Sequence, residues 1–410
     1  MSTPLSASVS ASLRAGALAL GLLATAAVPA YAAPAPDGPR TGTATATATA
    51  TATPRPDPDA AAMALMRRQR PLLDAAHQLR QAGTAALPGF SGITVDPERS
   101  TLHLYWDGPL PAAAQRTVRR LGGPSVRIEV GRAPAPDPGG TGAARQVPVA
   151  AGTAAGAVAG TTDPAPAPRP PGRVNDRAPV SGGALLITQP ETCTAGFGVV
   201  SEATGRKQLL TAGHCGPVGS PWFNGDGEFL GNAVSRHPEA DALVIDVNSS
   251  DRVWHGAVSE TLDGIDEAAR TVTEARSPEV GQYVCTSGAV SGTHCGLRVT
   301  RTGVVVSVAG TDVPDQIEAE QTGHVAAAGN GDSGGPVYSA TTSTGPVMAH
   351  GMITAYDRQQ TAPCSGAPTG NGRNCSWRVY FTDVRAVLKA TGTRLPHAAC
   401  PAHRAEHPAR

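Results

Sequence analysis

Apolar and polar positions divide the chain into stretches of different period. From 59 to 82, Met63, Leu65, Met66, Leu72, Leu73, Ala76 and Leu79 recur at helical spacing. They predict an amphipathic helix that Pro71 should break into two pieces. Ile93-Thr94-Val95 and Leu102-His103-Leu104-Tyr105-Trp106 alternate as strands do, around the turn Asp96-Pro97-Glu98-Arg99-Ser100. A helix over 111–121 and a returning strand, Val126-Arg127-Ile128-Glu129-Val130, complete a small α+β unit over 60–132. It carries no chemical constellation, and its histidines His77 and His103 stand isolated. From Gly182 short apolar runs alternate with turns, among them Ala184-Leu185-Leu186-Ile187, Ala242-Leu243-Val244-Ile245, Val304-Val305-Val306 and Arg378-Val379-Tyr380-Phe381. Many short strands over ~210 residues predict an all-β barrel or sandwich, with one helix near its end at 384–391.

Between these patterned regions lie stretches with nothing to bury. Arg14, the apolar run 15–28 and Ala30-Tyr31-Ala32 have the order of a secretory signal over 1–32, with Ala33 as the new N-terminus. The Thr/Ala/Pro tract at 33–59 should be disordered. The Pro/Ala/Gly-rich stretch 133–178 reads as an extended linker, where proteases cut easily. The tail 397–410 is expected to fray. The formal net charge is zero with no basic block, which argues against nucleic acid or an anionic membrane surface as partner. Later stretches fall short of ~20 consecutive apolar residues, so no membrane association is expected once the signal is cleaved.

All seven cysteines fall between residues 193 and 400. In an exported chain such cysteines form a disulfide framework, and six allow about fifteen pairings. Nearest-neighbour pairing gives Cys193–Cys215, Cys285–Cys295 and Cys364–Cys375, and leaves Cys400 over. Zinc-type spacings are missing, and no metal or cofactor is expected.

The chemistry centres on Gly331-Asp332-Ser333-Gly334-Gly335-Pro336-Val337. Glycines permit a turn that exposes one hydroxyl while adjacent N–H groups converge beside it, as acyl transfer requires. Upstream, Leu210-Thr211-Ala212-Gly213-His214-Cys215 offers an imidazole next to a cysteine, and imidazole suits the general base. Asp241 opens the apolar run 242–245, which would carry it into a barrel interior as the orienting carboxylate. Asp246 closes that run and competes, and Asp226 lies in a turn.

Thr211-Ala212-Gly213-His214-Cys215 and Gly331-Asp332-Ser333-Gly334-Gly335-Pro336 together resemble the chymotrypsin-like serine proteases. The likeness is to the secreted bacterial branch of the streptogrisins and α-lytic protease, and covers roughly 182–395. The order His, Asp, Ser fits, as do Val284-Cys285-Thr286-Ser287-Gly288 running to Thr293-His294-Cys295-Gly296 and the late helix after Tyr380-Phe381. The resemblance implies two six-stranded β-barrels with a C-terminal helix over 179–396, preceded by the small α+β unit as a pro-region. It implies Ser333 as nucleophile, His214 as base and then acid, Asp241 as orienter, and the Gly331 and Ser333 N–H groups as oxyanion hole. It also implies a monomeric secreted zymogen acting on protein or peptide substrates. Its pro-region would assist folding and inhibit until cleavage near 176–182.

Three departures stand out. No cysteine precedes the nucleophile in Val325-Ala326-Ala327-Ala328-Gly329-Asn330, so Cys364–Cys375 would be a relocated bridge. Thr286 stands where relatives place an arginine to pair with the acid matching Asp332. Ala327 occupies the floor of the substrate pocket, which predicts an apolar preference, with Thr354-Ala355-Tyr356 along the pocket edge and able to narrow it. Two other readings are a silent binding protein on a protease fold and an esterase. An α/β-hydrolase would place Ser before the acid and His, opposite to the order here.

Overall fold

The computed structural model describes residues 58–133, 172–247, 249–255, 268–342, 345–366 and 373–396. The signal, nearly all of the Thr/Ala/Pro tract, most of the linker, Cys400 and the tail lie outside the described residues. Among those described, no helix is long and apolar enough to cross a membrane.

Helix α1 (Pro58–Gln81) runs unbroken through Pro71, against the expectation of two pieces. Packing on both sides outweighs the one hydrogen bond that proline removes. Met63 and Met66 before it, and Leu72, Leu73 and Leu79 after it, are all buried. Strands β1 (Phe90–Asp96) and β2 (Thr101–Trp106), helix α2 (Ala112–Leu121) and strand β3 (Arg127–Gly131) complete the unit. β2 is central, antiparallel to β1 and parallel to β3, and α2 supplies the crossover that a parallel return needs. Leu72, Ala76 and Leu79 of α1 bury this sheet's Ile93, Val95, Leu102, Leu104 and Trp106.

The first half of α1 serves a different core. Ala62, Met63 and Met66 pack with Tyr283, Cys285, Tyr338 and Val347 of the β-rich part. One turn on, the Gln69 side chain donates to the Tyr283 carbonyl and accepts from its N–H, both at 2.7 Å. Val95 N–H donates to Val280 O at 2.9 Å, and the pairs Arg80–Glu279 and Asp74–Arg276 flank these contacts.

The β-rich part begins with β4 (Val180–Gly182), followed by β5 (Leu185–Thr188), β6 (Glu191–Thr194), β7 (Gly198–Ser201) and β8 (Lys207–Ala212). Next come β9 (Pro221–Phe223), β10 (Phe229–His237) and β11 (Ala242–Asp246). All but β4, which joins the second sheet, form one sheet of order β7-β8-β11-β10-β9-β5-β6. β6 runs on through 195–197 into β7, and Leu210 N–H bonds Phe197 O at 3.0 Å across the gap, so the sheet curls back on itself. Leu186, Leu209, Trp222, Leu243 and Ile245 fill it.

The second sheet uses β12 (Ser249–His255), β13 (Ala268–Ala275), β14 (Tyr283–Gly288), β15 (Gly292–Val308) and β16 (Thr311–Gln321). A short β17 (Ala328–Gly329) precedes β18 (Pro336–Ala340), β19 (Val347–Tyr356), β20 (Thr361–Ala362), β21 (Cys375–Ser376) and β22 (Arg378–Asp383). Pairing runs β18-β14-β15-β16-β22-β19 and returns from β19 to β18, a closed six-stranded barrel. Helix α3 (Val384–Thr391) is capped by the Asp383 carboxylate on Arg385 N–H and ends at left-handed Gly392. β23 (Thr393–Arg394) then pairs with β7, tying the chain's end to the first sheet. The fold is thus of the expected double-barrel type with a C-terminal helix: the second sheet closes as a six-stranded barrel, and the first forms a half-barrel.

Candidate active site

His214 sits in a single helical turn, Gly213–Cys215, at the end of β8. The Cys193–Cys215 bridge anchors that turn to β6. Gly213 leaves no room for a side chain: a Cβ there would lie 2.8 Å from Ala242 N. The turn therefore presses against the start of β11, where Asp241 stands. Asp241 takes a left-handed backbone, φ 43°, at the end of the turn Pro238–Ala240, a conformation more open to aspartate than to most residues. Its Oδ1 and Oδ2 lie 3.0 and 2.9 Å from His214 Nδ1, and Oδ1 also accepts the His214 backbone N–H at 2.9 Å. Both side chains are at least 94% buried, being 6% and 4% exposed. Burial pushes the imidazole pKa down, but the charge of Asp241 and its hydrogen bond outweigh that, and the net shift is upward.

The Ser333 turn is built from both barrels. Gly331 has φ +90°, and Gly334 has φ +87°. At Gly334 a Cβ would stand 2.4 Å from Thr211 Oγ1 and 2.7 Å from Ala212 N, so only glycine lets the serine turn lie on the strand that leads to His214. Gly334 N–H bonds Ile353 O of β19, while Asp332 N–H bonds Gly329 O. Among the described residues, neither the Gly331 nor the Ser333 N–H has an acceptor.

Thr194, fully buried at the end of β6, holds this turn's carbonyls. Its N–H donates to Ser333 O and its hydroxyl to Gly331 O, each at 2.8 Å. The same hydroxyl accepts Ala289 N–H, and Thr211 Oγ1 donates to Thr194 O. Fixing those carbonyls fixes the peptide planes around Ser333. Sequence reasoning missed Thr194; its one signal was its place beside bridging Cys193.

Asp332 is fully buried, and its partners are backbone amides. Oδ1 accepts from Val290 and Ser291 N–H at 3.1 and 3.0 Å, and Oδ2 from Gly329 N–H at 2.8 Å. A carboxylate so held has its charge spread over three donors. Thr286, where an arginine was anticipated, instead bonds Ala327 O at 2.7 Å. The bridges Cys285–Cys295 and Cys364–Cys375 both form. Cys375 pairs with Gly329 across β21 and β17, so the relocated bridge lies directly beside the strand entering the serine turn.

The anticipated pocket residues divide. Ala327 packs in an apolar cluster with Val284, Val337 and Phe381, and Ala355 packs with Val306, Val308 and Tyr380. Thr354 bonds Thr382. The buried Tyr356 alone reaches toward the serine turn, donating from its hydroxyl to Asn330 Oδ1 at 3.1 Å. Asn330 immediately precedes Gly331, and its Oδ1 also accepts Asn374 N–H. Among the described residues no group of three or more His, Cys, Asp or Glu is placed to hold a metal ion.

No family model matches the chain. Serine protease 2 of Streptomyces fradiae is 32% identical over 171 residues, 40% of this chain and 91% of that protein. Streptogrisin-D of Streptomyces griseus is 30% identical over 168 residues, 40% of each chain. Among solved structures, Nocardiopsis protease aligns over 52% of this chain and 97% of its own at 23% identity, with a TM-score of 0.38. The α-lytic protease homolog N4 aligns over 53% and 98% at 24% identity, also with a TM-score of 0.38. The match to Serine protease 2, nearly complete for that protein, joins the His214–Asp241 pair and the Ser333 turn in one conclusion: the chain belongs to the chymotrypsin-like bacterial serine proteases and is a serine-type endopeptidase.

Proposed function

We propose that the protein is a secreted endopeptidase that processes its own precursor and cuts peptide bonds through Ser333, His214 and Asp241. The observation that carries this reading is the buried two-oxygen contact of Asp241 on His214 Nδ1. That contact fixes the tautomer with Nδ1 protonated and leaves Nε2 as the proton acceptor. His214 takes the Ser333 hydroxyl proton as Oγ bonds to the substrate carbonyl carbon, and returns it to the leaving amine as the C–N bond breaks. Water repeats the attack and releases the acid. The Gly331 and Ser333 N–H groups, which have no acceptor among the described residues, receive the oxyanion, where one donor is typically worth ~3 kcal/mol of barrier.

The unit 60–132 acts as pro-region in this reading, supported by its shared core and paired hydrogen bonds with the enzyme part. An apolar residue is preferred on the acyl side of the cut bond, since Ala327 offers no charge and the buried Tyr356 spends its hydroxyl on Asn330. Expressing the full chain as Ser333→Ala tests the reading. Hydrolysis of casein should vanish and the precursor should persist uncut; unchanged hydrolysis contradicts it. Chromogenic peptides ending in Phe or Leu should be cleaved at least ~10-fold better than those ending in Lys or Glu.

A further inference from the structure

Residues 172–176 belong by composition to the linker, yet all five are buried. Arg173 is 3% exposed and its guanidinium spans four acceptors. Nη1 donates to Gly183 O at 3.2 Å, Ser287 Oγ at 2.9 Å and Gly288 O at 3.2 Å, and Nη2 to Thr293 Oγ1 at 2.8 Å. The backbone is seated as firmly. Leu185 N–H donates to Arg173 O at 2.7 Å and Gly225 N–H to Val174 O at 2.6 Å. Gly225 lacks a side chain where a Cβ would lie 2.2 Å from Val174 Cγ1. Val174 itself packs with Leu185, Ala289 and Val290, and Asp176 Oδ2 accepts Ser181 N–H.

Arg173 grips the segment 287–293 at both ends, and between those ends Val290 and Ser291 donate to Asp332. Asp332 is the residue between the two oxyanion donors. The guanidinium's fixed fork can hold several oxygen acceptors at set angles, which a flexible ammonium cannot. Withdrawing it would take one buried donor away from each of those acceptors. Only three consecutive residues, 177–179, are exposed between this segment and β4. An extended protease cleft needs a longer accessible stretch, and tolerance to cutting follows burial and bonding of the backbone.

We propose that residues 172–176 stay with the enzyme after processing as a strap, with Arg173 a positioning residue for the oxyanion turn. The proposal rests on the self-processing reading above and moves the new N-terminus from the anticipated 176–182 to residue 172 or earlier. The processing step itself adds one water across one peptide bond.

The test uses the full chain as secreted. N-terminal sequencing of the processed enzyme should give a terminus at or before Gly172. Arg173→Ala should lower kcat by ~10-fold or more with KM within ~2-fold, because it disturbs groups that engage the oxyanion and leaves the peptide-binding surface alone. Arg173→Lys should recover only part of that loss. Thr293→Val, which removes one acceptor and spares the strap if Arg173→Ala is not secreted, should lower kcat ~3-fold. A Ser333-dependent enzyme whose terminus falls at 177 or later overturns the strap alone, as does an unchanged kcat in Thr293→Val. Hydrolysis surviving Ser333→Ala overturns the protease roles instead.

Discussion

Asp241 meets two donors of one residue, the ring and the backbone N–H of His214, and so fixes where the imidazole sits as well as its tautomer. Because the net shift of His214 is upward from 6.5, the base becomes neutral only above that ordinary value. The acid limb of kcat/KM should therefore fall at a pH higher than 6.5. Asp241→Asn should move that limb to lower pH and cost about 10⁴-fold in kcat, as loss of this carboxylate does in such triads. A pH–rate profile of both proteins checks the shift and its sign. Thr194→Val keeps the branched shape but loses the bond to Gly331 O. We expect kcat to drop about 10-fold, roughly the value of one buried hydrogen bond, with KM nearly unchanged. His214, Asp241 and Ser333 could be proposed from sequence because small residues and an apolar run mark their surroundings. Thr194 and Arg173 act on backbone carbonyls and distant hydroxyls, and apart from bridging Cys193 beside Thr194 the neighbouring sequence carries no mark of them.

At the scale of elements, the strands followed from apolar runs between turns and the last helix was placed at 384–391, whereas α1 did not break at Pro71. Its apolar stripe continues on both sides of the proline, and burial against two cores overrides a local preference. The ribbon of β17, β20 and β21 holds the approach to the serine turn, the stretch where the resemblance led to the expectation of a cysteine. Replacing Cys364 and Cys375 together by Ser should cost roughly 3 kcal/mol of stability, the entropy of a short closed loop. It should also raise KM, because Gly329 pairs with Cys375 beside Asn330. Urea melts and steady-state kinetics read the two effects separately.

Across the whole molecule, α1 shares apolar surface with the enzyme part, so the N-terminal unit completes a core as well as a docking face. Met66→Ala in the uncut Ser333→Ala chain should lower unfolding stability by about 2–4 kcal/mol, as a buried cavity does. The proposed triad residues come from the turn after β8, the start of β11 and the turn before β18, so the site requires both sheets to be formed. The central claim is that Ser333 is activated by His214. Labelling the secreted protein with a fluorophosphonate and mapping the adduct by mass spectrometry tests it most directly. One adduct is expected, on Ser333, whose formation slows as pH falls through the raised His214 pKa and is lost in His214→Ala. An adduct on another residue, or equal labelling of Ser333 without His214, would contradict it.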